Sequence, residues 1–422
     1  MLSSAISVLK GESCVFCLWS SWFSVFLFLW AGDYHKAAAA FDAARRLARE
    51  NPLKVSSILL KRSWMEEKLG DCPQAVRSAV RARKSIDTMT TREAAQQNAQ
   101  LSAWQATLLL AEGRPRDAVR WARKAIQEAE AIADDDAQGS AHFALGWALS
   151  ELGGESPEPH WQRSLEAYRR SGNRVRQAGL LLNLGVACLW EGRWDDALAN
   201  YERARAESLR IGNTADAELA RINSGEILVD RGQIEEAEAL LNSSLHVWRA
   251  HDYRYFLGLC LSYLGRAMLR ASRLEDAIRR FEGARALIET AGSPQEAQEV
   301  DGRIAECRAF MRDSQAALDI AERTLGHADA SNTKLLALLE RVRGYALAQK
   351  GDVAHARSAF AASLAAARKR RDPFEIAQTL RALAALDRLE GIEPSPAVVG
   401  ESESLLTELK VQNLLEPPLT AQ

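Results

Sequence analysis

The chain has 422 residues, 47% of them apolar and 26% charged, with a formal net charge of -2. That length exceeds one globular core, so the chain forms several domains or a repeat array, and its composition excludes a disordered chain. No basic excess or basic stripe is present, which argues against a nucleic-acid partner for this chain alone. Ala, Leu, Arg and Glu dominate and β-branched runs are few, so the predicted fold class is all-α.

Taken in chain order, the first feature is apolar. Cys14 to Trp30 reads CVFCLWSSWFSVFLFLW, seventeen residues without a charge. A membrane-spanning helix needs about 20 apolar residues, with roughly 17 as the lower limit. Lys10 gives a meagre positive flank, and no clear small-residue cleavage site follows. Two readings stay open: a buried first helix or truncated start, and a membrane anchor through residues 14–30. Residues 1–26 are therefore set apart as an atypical N-terminal segment. Cys14 and Cys17 form a CxxC, but no second Cys or His pair stands at zinc-like spacing, so no metal site or cofactor is expected. Cys72, Cys188, Cys260 and Cys307 stand in helical stretches as small hydrophobes would, which suits reduced thiols in a cytoplasmic compartment.

From residue 27 to 415 the chain repeats itself. Turn positions fall at Gly32, Gly70, Gly113, Gly153, Gly192, Gly232, Ser272, Arg312, Gly351 and Gly391, spaced by 39 to 40 residues from Gly113 onward. Each unit reads as helix A, a tight turn, helix B and a polar loop. Seven residues before the turn stands a small residue, as at Gly185, Gly225, Gly265 and Gly344. Five after it comes alanine (Ala197, Ala237, Ala277, Ala356), and nine after it often a large apolar residue (Tyr201, Leu241, Phe281, Phe360). Two antiparallel helices approach closely only where both present small side chains, and the large residue is expected to fill the gap towards the next unit. One hairpin cannot bury its apolar face alone, whereas stacked copies make a continuous core.

Helix ends agree with this phasing. Gly172–Asn173 and Gly212–Asn213 suit a left-handed stop. Ser293–Pro294 and Asp372–Pro373 read as starts with a first-turn proline, and Asp134–Asp136 as a capping cluster rather than a cation site. Residues 416–422 form a short C-terminal tail.

The spacing of Gly185, Ala197, Tyr201 and Ala204 resembles the tetratricopeptide repeat, and similar spacing covers nearly the whole chain. The period here is nearer forty than the family's thirty-four, and the family's late proline is mostly absent. That longer form resembles the repeats of MalT-type activators and of bacterial regulators joining an ATPase, or an adenylate or guanylate cyclase, to a repeat array. The ending from Arg371 to Leu386 and from Ser404 to Leu419 is similar to the C-terminus of such cyclase-type regulators. The resemblance implies a right-handed superhelical solenoid of about ten antiparallel hairpins, with helix A of each lining the concave side. It also implies a protein or peptide partner on that side.

Candidate contacts follow from helix A. Asn183 and Asn223 recur two residues before the small position, and a ladder of side-chain amides can pair with the backbone of an extended peptide. Bonds within or between neighbouring helices explain them as well. Glu226, Arg266 and Glu306 recur at one position with alternating sign, which suits inter-repeat ion pairs as well as ligand contacts. No Gly-Lys dipeptide, GxSxG, HExxH or HRD occurs, so no catalytic residue is assigned and the chain is not expected to be an enzyme. The leading expectation is a peptide-binding scaffold, the sensor or interaction module of a bacterial signalling or transcriptional regulator. Alternatives are a C-terminal fragment of a cyclase or ATPase regulator and a membrane-tethered assembly factor. The oligomeric state is not readable.

Overall fold

The computed structural model describes residues 34–68, 71–152, 156–250 and 253–420. Among these, all regular structure is helical. The chain divides into two compact units, Met1–Gln177 and Ala178–Gln422. The first holds α1 (Tyr34–Leu47), α2 (Pro52–Lys68), α3 (Cys72–Lys84), α4 (Arg92–Ala111), α5 (Pro115–Ala131), α6 (Asp135–Leu152) and α7 (Glu158–Arg170). The boundary falls within α8 (Arg174–Trp190). The second unit continues with α9 (Trp194–Arg210), α10 (Thr214–Arg231), α11 (Ile234–Ala250), α12 (Arg254–Arg270), α13 (Leu274–Thr290) and α14 (Pro294–Phe310). It ends with α15 (Ser314–Leu325), α16 (Thr333–Gln349), α17 (Val353–Arg370), α18 (Pro373–Leu389) and α19 (Pro396–Glu408). Each unit is an all-α solenoid in which even-numbered helices are the A helices and odd-numbered ones the B helices. The apolar stretch 14–30, with Cys14 and Cys17, lies outside the described residues. No helix among the described ones is long and apolar enough to cross a membrane.

The turns follow the repeat phase. Gly113, Gly192, Gly232, Gly351 and Gly391 all take left-handed backbone, with φ between 69° and 83°. Ser272 and Arg312 hold the same conformation, at φ 58° and 66°, although a side chain there costs roughly 1–2 kcal/mol. The hairpin geometry therefore selects the turn even where glycine is missing. Starts agree as well. Asp134 Oδ1 accepts from the amides of Asp136 and Ala137, both at 3.0 Å, and Asp372 caps α18 by accepting from Glu375 N. Asn213, just after the left-handed Gly212, caps α10 by accepting from Asp216 N, so that pair both stops one helix and starts the next. Ser293 precedes Pro294 but makes no capping bond with its side chain.

The large residue on helix B does more than fill the gap towards the next unit. It also presses on the small residue of its own hairpin, while Tyr201 meets Asn223 and Phe281 shares a core with Val300 and Cys307 of the following unit. A Cβ built on Gly185 would lie 2.3 Å from the ring of Tyr201, one on Gly265 2.7 Å from Phe281, and one on Gly344 2.3 Å from Phe360. Tyr201, Phe281 and Phe360 have no exposed surface. The glycine is thus a seat for a ring, and the ring sets how closely A and B approach. Alanines at the neighbouring position, among them Ala197, Ala277 and Ala356, are equally buried.

In the second unit the array curls on itself. The turn at Gly192 lies against Pro373 at the start of α18, and the rings of Trp194 and Phe374 meet edge to face at 5.6 Å. Helical structure ends at Glu408, and the chain from Val411 to Leu419 has no regular secondary structure.

These contacts separate two glycine substitutions. Gly344→Ala forces its methyl group into the Phe360 ring and is expected to destabilise by about 1–3 kcal/mol. Gly179→Ala, also helical but with nothing within 4 Å, is expected to be neutral or to stabilise by up to about 1 kcal/mol. Denaturant unfolding of both variants checks this; equal destabilisation would contradict it.

Candidate functional site

The site is built on the A helices of the second unit. Equivalent positions forty residues apart stack on one face, so charges placed there meet charges of the next repeat. Arg266 of α12 donates to Glu226 of α10 at 3.0 Å and to Asp230, and Tyr263 Oη donates to Glu226 at 2.9 Å. Further along, Arg341 of α16 is 1% exposed and donates to Glu306 of α14 at 2.8 Å and to Glu375 of α18 at 2.9 Å. Arg303 donates to the other oxygen of Glu306, also at 2.9 Å. Two arginines and two glutamates thus close a buried, formally neutral cluster across three A helices.

Electrostatics keep this cluster charged. Burial pushes the Glu306 carboxyl up, but Arg303 and Arg341 outweigh it and hold the group at about 2. Glu299 behaves alike: burial opposes, Lys334 and Arg303 win, and the group sits at about 2. Asp230 goes the other way, since burial raises its carboxyl more than Arg266 lowers it. The buried thiols are inert by contrast, with Cys260 pushed up to about 12, chiefly by burial.

Against this charged face lies the chain's own segment 409–419. Its backbone carbonyls are taken at every third residue. Arg231 Nε donates to Leu409 O at 3.1 Å, and Arg270 to Gln412 O at 2.7 Å. Arg381 donates to Leu415 O at 3.1 Å, and Gln349 Nε2 to Pro418 O at 2.5 Å. Gln412 N returns a bond to Arg231 O at 2.8 Å. Arg270 and Gln349 stand two residues before their turns and Arg231 one before, so three donors come from the ends of A helices, whereas Arg381 stands in the middle of α18. A helices about 8–10 Å apart set the path from α10 to α16 at roughly 24–30 Å, so nine residues must be largely extended to span it, with local left-handed bends at Lys410 and Asn413 (φ 60° and 49°).

Side chains fix the segment as well. Leu409 and Leu419 are 2% and 4% exposed, and Leu415 packs on the cluster containing Phe281 and Cys307. Glu416 accepts from Arg381 at 2.8 Å, and Lys410 Nζ donates to Asp195 at 2.7 Å. The approach is close: a Cβ on Gly232 would lie 2.4 Å from Gln412 O. Between segment and face remains a cleft of about 540 Å³, part of it open to solvent, lined among others by Arg270, Arg303, Phe310, Tyr345 and Arg381.

Of the residues singled out in the sequence, Glu226 and Arg266 are brought together as a pair. Glu306 pairs with Arg303 and Arg341 instead. Asn183 donates to Gly179 O, one turn back in its own helix, at 2.9 Å. Asn223 lies beside the buried Tyr201 hydroxyl. Sequence reasoning missed Arg231, Arg270, Gln349 and Arg381. The polar residue just before the turn was the signal available for the first three. Among the described residues, no group of three or more His, Cys, Asp or Glu is placed to hold a metal.

No protein-family model matches the chain, and no curated protein matches it by sequence. Solved structures do. A Rap protein complexed with Competence and Sporulation Factor superposes with a TM-score of 0.63 at 13% identity, covering 85% of this chain and 99% of that one. The apo form of RapI gives 0.60 at 12% identity, over 86% of this chain and 100% of that one. Aspartyl phosphate phosphatase F from Bacillus subtilis gives 0.57 at 12%, over 86% and 96%. The chain is similar to these in fold, and the fold is that of a tetratricopeptide-type helical repeat protein.

The buried cluster makes a stability prediction. Arg341→Met leaves Glu306 and Glu375 without their shared partner and is expected to cost about 3–5 kcal/mol in urea unfolding. Acid has a signed effect too. Glu306 and Glu299 sit at about 2 in the folded chain against 4.5 ordinarily, so the native state binds fewer protons. Their contribution is full above about pH 4.5 and is lost as pH falls towards 2. Glu306→Gln is expected to flatten that acid limb, and an unchanged limb would contradict the assignment.

Proposed function

We propose that the chain is a non-enzymatic scaffold whose inner face in the second unit binds an extended peptide. In this reading it is the sensor or interaction module of a bacterial signalling or transcriptional regulator. The observation that carries the reading is the carbonyl clasp: Arg231, Arg270, Gln349 and Arg381 donate to backbone oxygens of segment 409–419. Backbone recognition of that kind gives affinity with little dependence on sequence, and pockets for side chains add the preference. A solved structure of this fold in complex with Competence and Sporulation Factor supports a binding role.

The residues have distinct parts. Arg270 and Arg381 hold the peptide backbone. Arg266, Glu226 and Asp230 form the charged floor beneath Arg270, whose guanidinium also donates to Asp230 O at 2.9 Å. Asn183 and Asn223 stand on preceding A helices at a register of their own, and in this reading would meet a longer peptide.

Panning a library of twelve-residue peptides on the full chain tests this. Recovered peptides are expected to lose about ten-fold or more in affinity on Arg270→Ala/Arg381→Ala, the loss typical of an interface hot spot. Asn183→Ala/Asn223→Ala is expected to weaken only the peptides that reach those helices. Peptides indifferent to all four substitutions would contradict the reading.

A further inference from the structure

The segment that fills the groove has a composition of its own. Residues 409–420 read LKVQNLLEPPLT, and the groove treats each kind of residue differently. Leu409, Leu415 and Leu419 enter apolar seats, while Gln412 and Asn413 face solvent. Pro417 and Pro418 carry no N–H, so none is left unsatisfied there, and Leu419 N closes a tight turn onto Pro417 O at 2.9 Å. Glu416 has an 85% exposed side chain and touches the groove only through Arg381. The carbonyls of Leu409, Gln412, Leu415 and Pro418 take donors from helices, whereas that of Pro417 takes Leu419 N of the segment itself.

Two features mark this as an occupied binding site rather than one more packing layer. The donors contact backbone, so an incoming chain could take the same bonds with a different sequence. Beneath the segment the face also turns polar groups into the cleft: Arg270, Arg303 and Gln378 line it, and the Nε atoms of the two arginines and Gln378 Nε2 make no protein hydrogen bond. Arg303 is 6% exposed.

Resting on the peptide-binding reading, we infer that residues 409–419 stand in the place of the partner and must leave before it enters. The partner is then an extended segment of another protein with the same chemistry: spaced leucines, a proline-fixed stretch and a carboxylate set against Arg381. The chain's own segment competes intramolecularly. Its effective concentration is of order millimolar, so an outside peptide binds with an apparent affinity reduced by the small fraction of time the groove is open.

The test uses the full chain and a fluorescent synthetic peptide of residues 409–420. In Leu415→Asp/Leu419→Asp the internal segment loses two of its seats, while the groove keeps every donor. That variant is expected to bind the peptide about ten-fold or more tightly than the parent chain, by fluorescence anisotropy. Adding Arg270→Ala should remove the gain, which places the peptide in the groove. Circular dichroism and the unfolding midpoint establish that the variants fold. Glu416→Arg, which alters only an exposed side chain and repels Arg381, gives the same direction of change without touching the core. Equal, measurable binding to parent and variants would overturn the competition while leaving the peptide-binding reading intact. No binding to any folded variant would overturn both.

Discussion

A ring seated on a glycine is the contact on which the rest depends. Tyr201 on Gly185, Phe281 on Gly265 and Phe360 on Gly344 fix how closely helix A and helix B of one hairpin approach. The ring returns in every second hairpin, with Leu241 on Gly225 and small Ala305 and Ala321 between, and the forty-residue period of the hairpins lets them stack by a nearly constant step. The left-handed turns at Ser272 and Arg312 show how strongly the step is enforced. There the chain accepts strain at a non-glycine turn to stay in register.

Constant stepping has an electrostatic consequence. Residues at one register meet their counterparts on the next A helix, so Glu226 finds Arg266 forty residues on, while Glu306 finds Arg341 at a separation of 35. Charges buried so deeply need partners with good geometry, and removing one leaves the others uncompensated. The cluster is therefore weak as a source of net stability and strong as a device for alignment. It also leaves arginines along the same face that a backbone can satisfy, beside side-chain partners such as Asp195 and Glu416. Segment 409–419 supplies that backbone, with one carbonyl for each of Arg231, Arg270, Arg381 and Gln349.

Much of this was legible in the sequence. The forty-residue period, the small position before the turn and the alanine after it pointed to the all-α repeat fold and to turns such as Gly192, Gly232, Ser272, Arg312 and Gly351. The aromatic position was legible in place and only half in direction, because spacing alone does not say that Tyr201 packs within its hairpin as well as beyond it. The ion pairs were half legible. Glu226 and Arg266 share a register, whereas Arg303, Arg341 and Glu375 become partners only through three-dimensional stacking. The strap over the groove was not legible at all. LLEPPL carries leucines that read as a last piece of helix, and the bond from Arg231 to Leu409 O joins residues 178 apart in sequence. Long-range contacts to backbone carbonyls leave no pattern in the segment itself, and only the polar residue before the turn marks the donors Arg231, Arg270 and Gln349.

Whether the A-helix face truly holds an extended backbone is most directly tested by a distance. Spin labels at the exposed positions Asn413 and Lys350 of the full chain would report on segment and groove by pulsed electron paramagnetic resonance. A clasped segment predicts one narrow distribution at short distance, and loss of that peak when Arg270 and Arg381 are replaced by alanine. A broad distribution that the two substitutions leave unchanged would contradict the account.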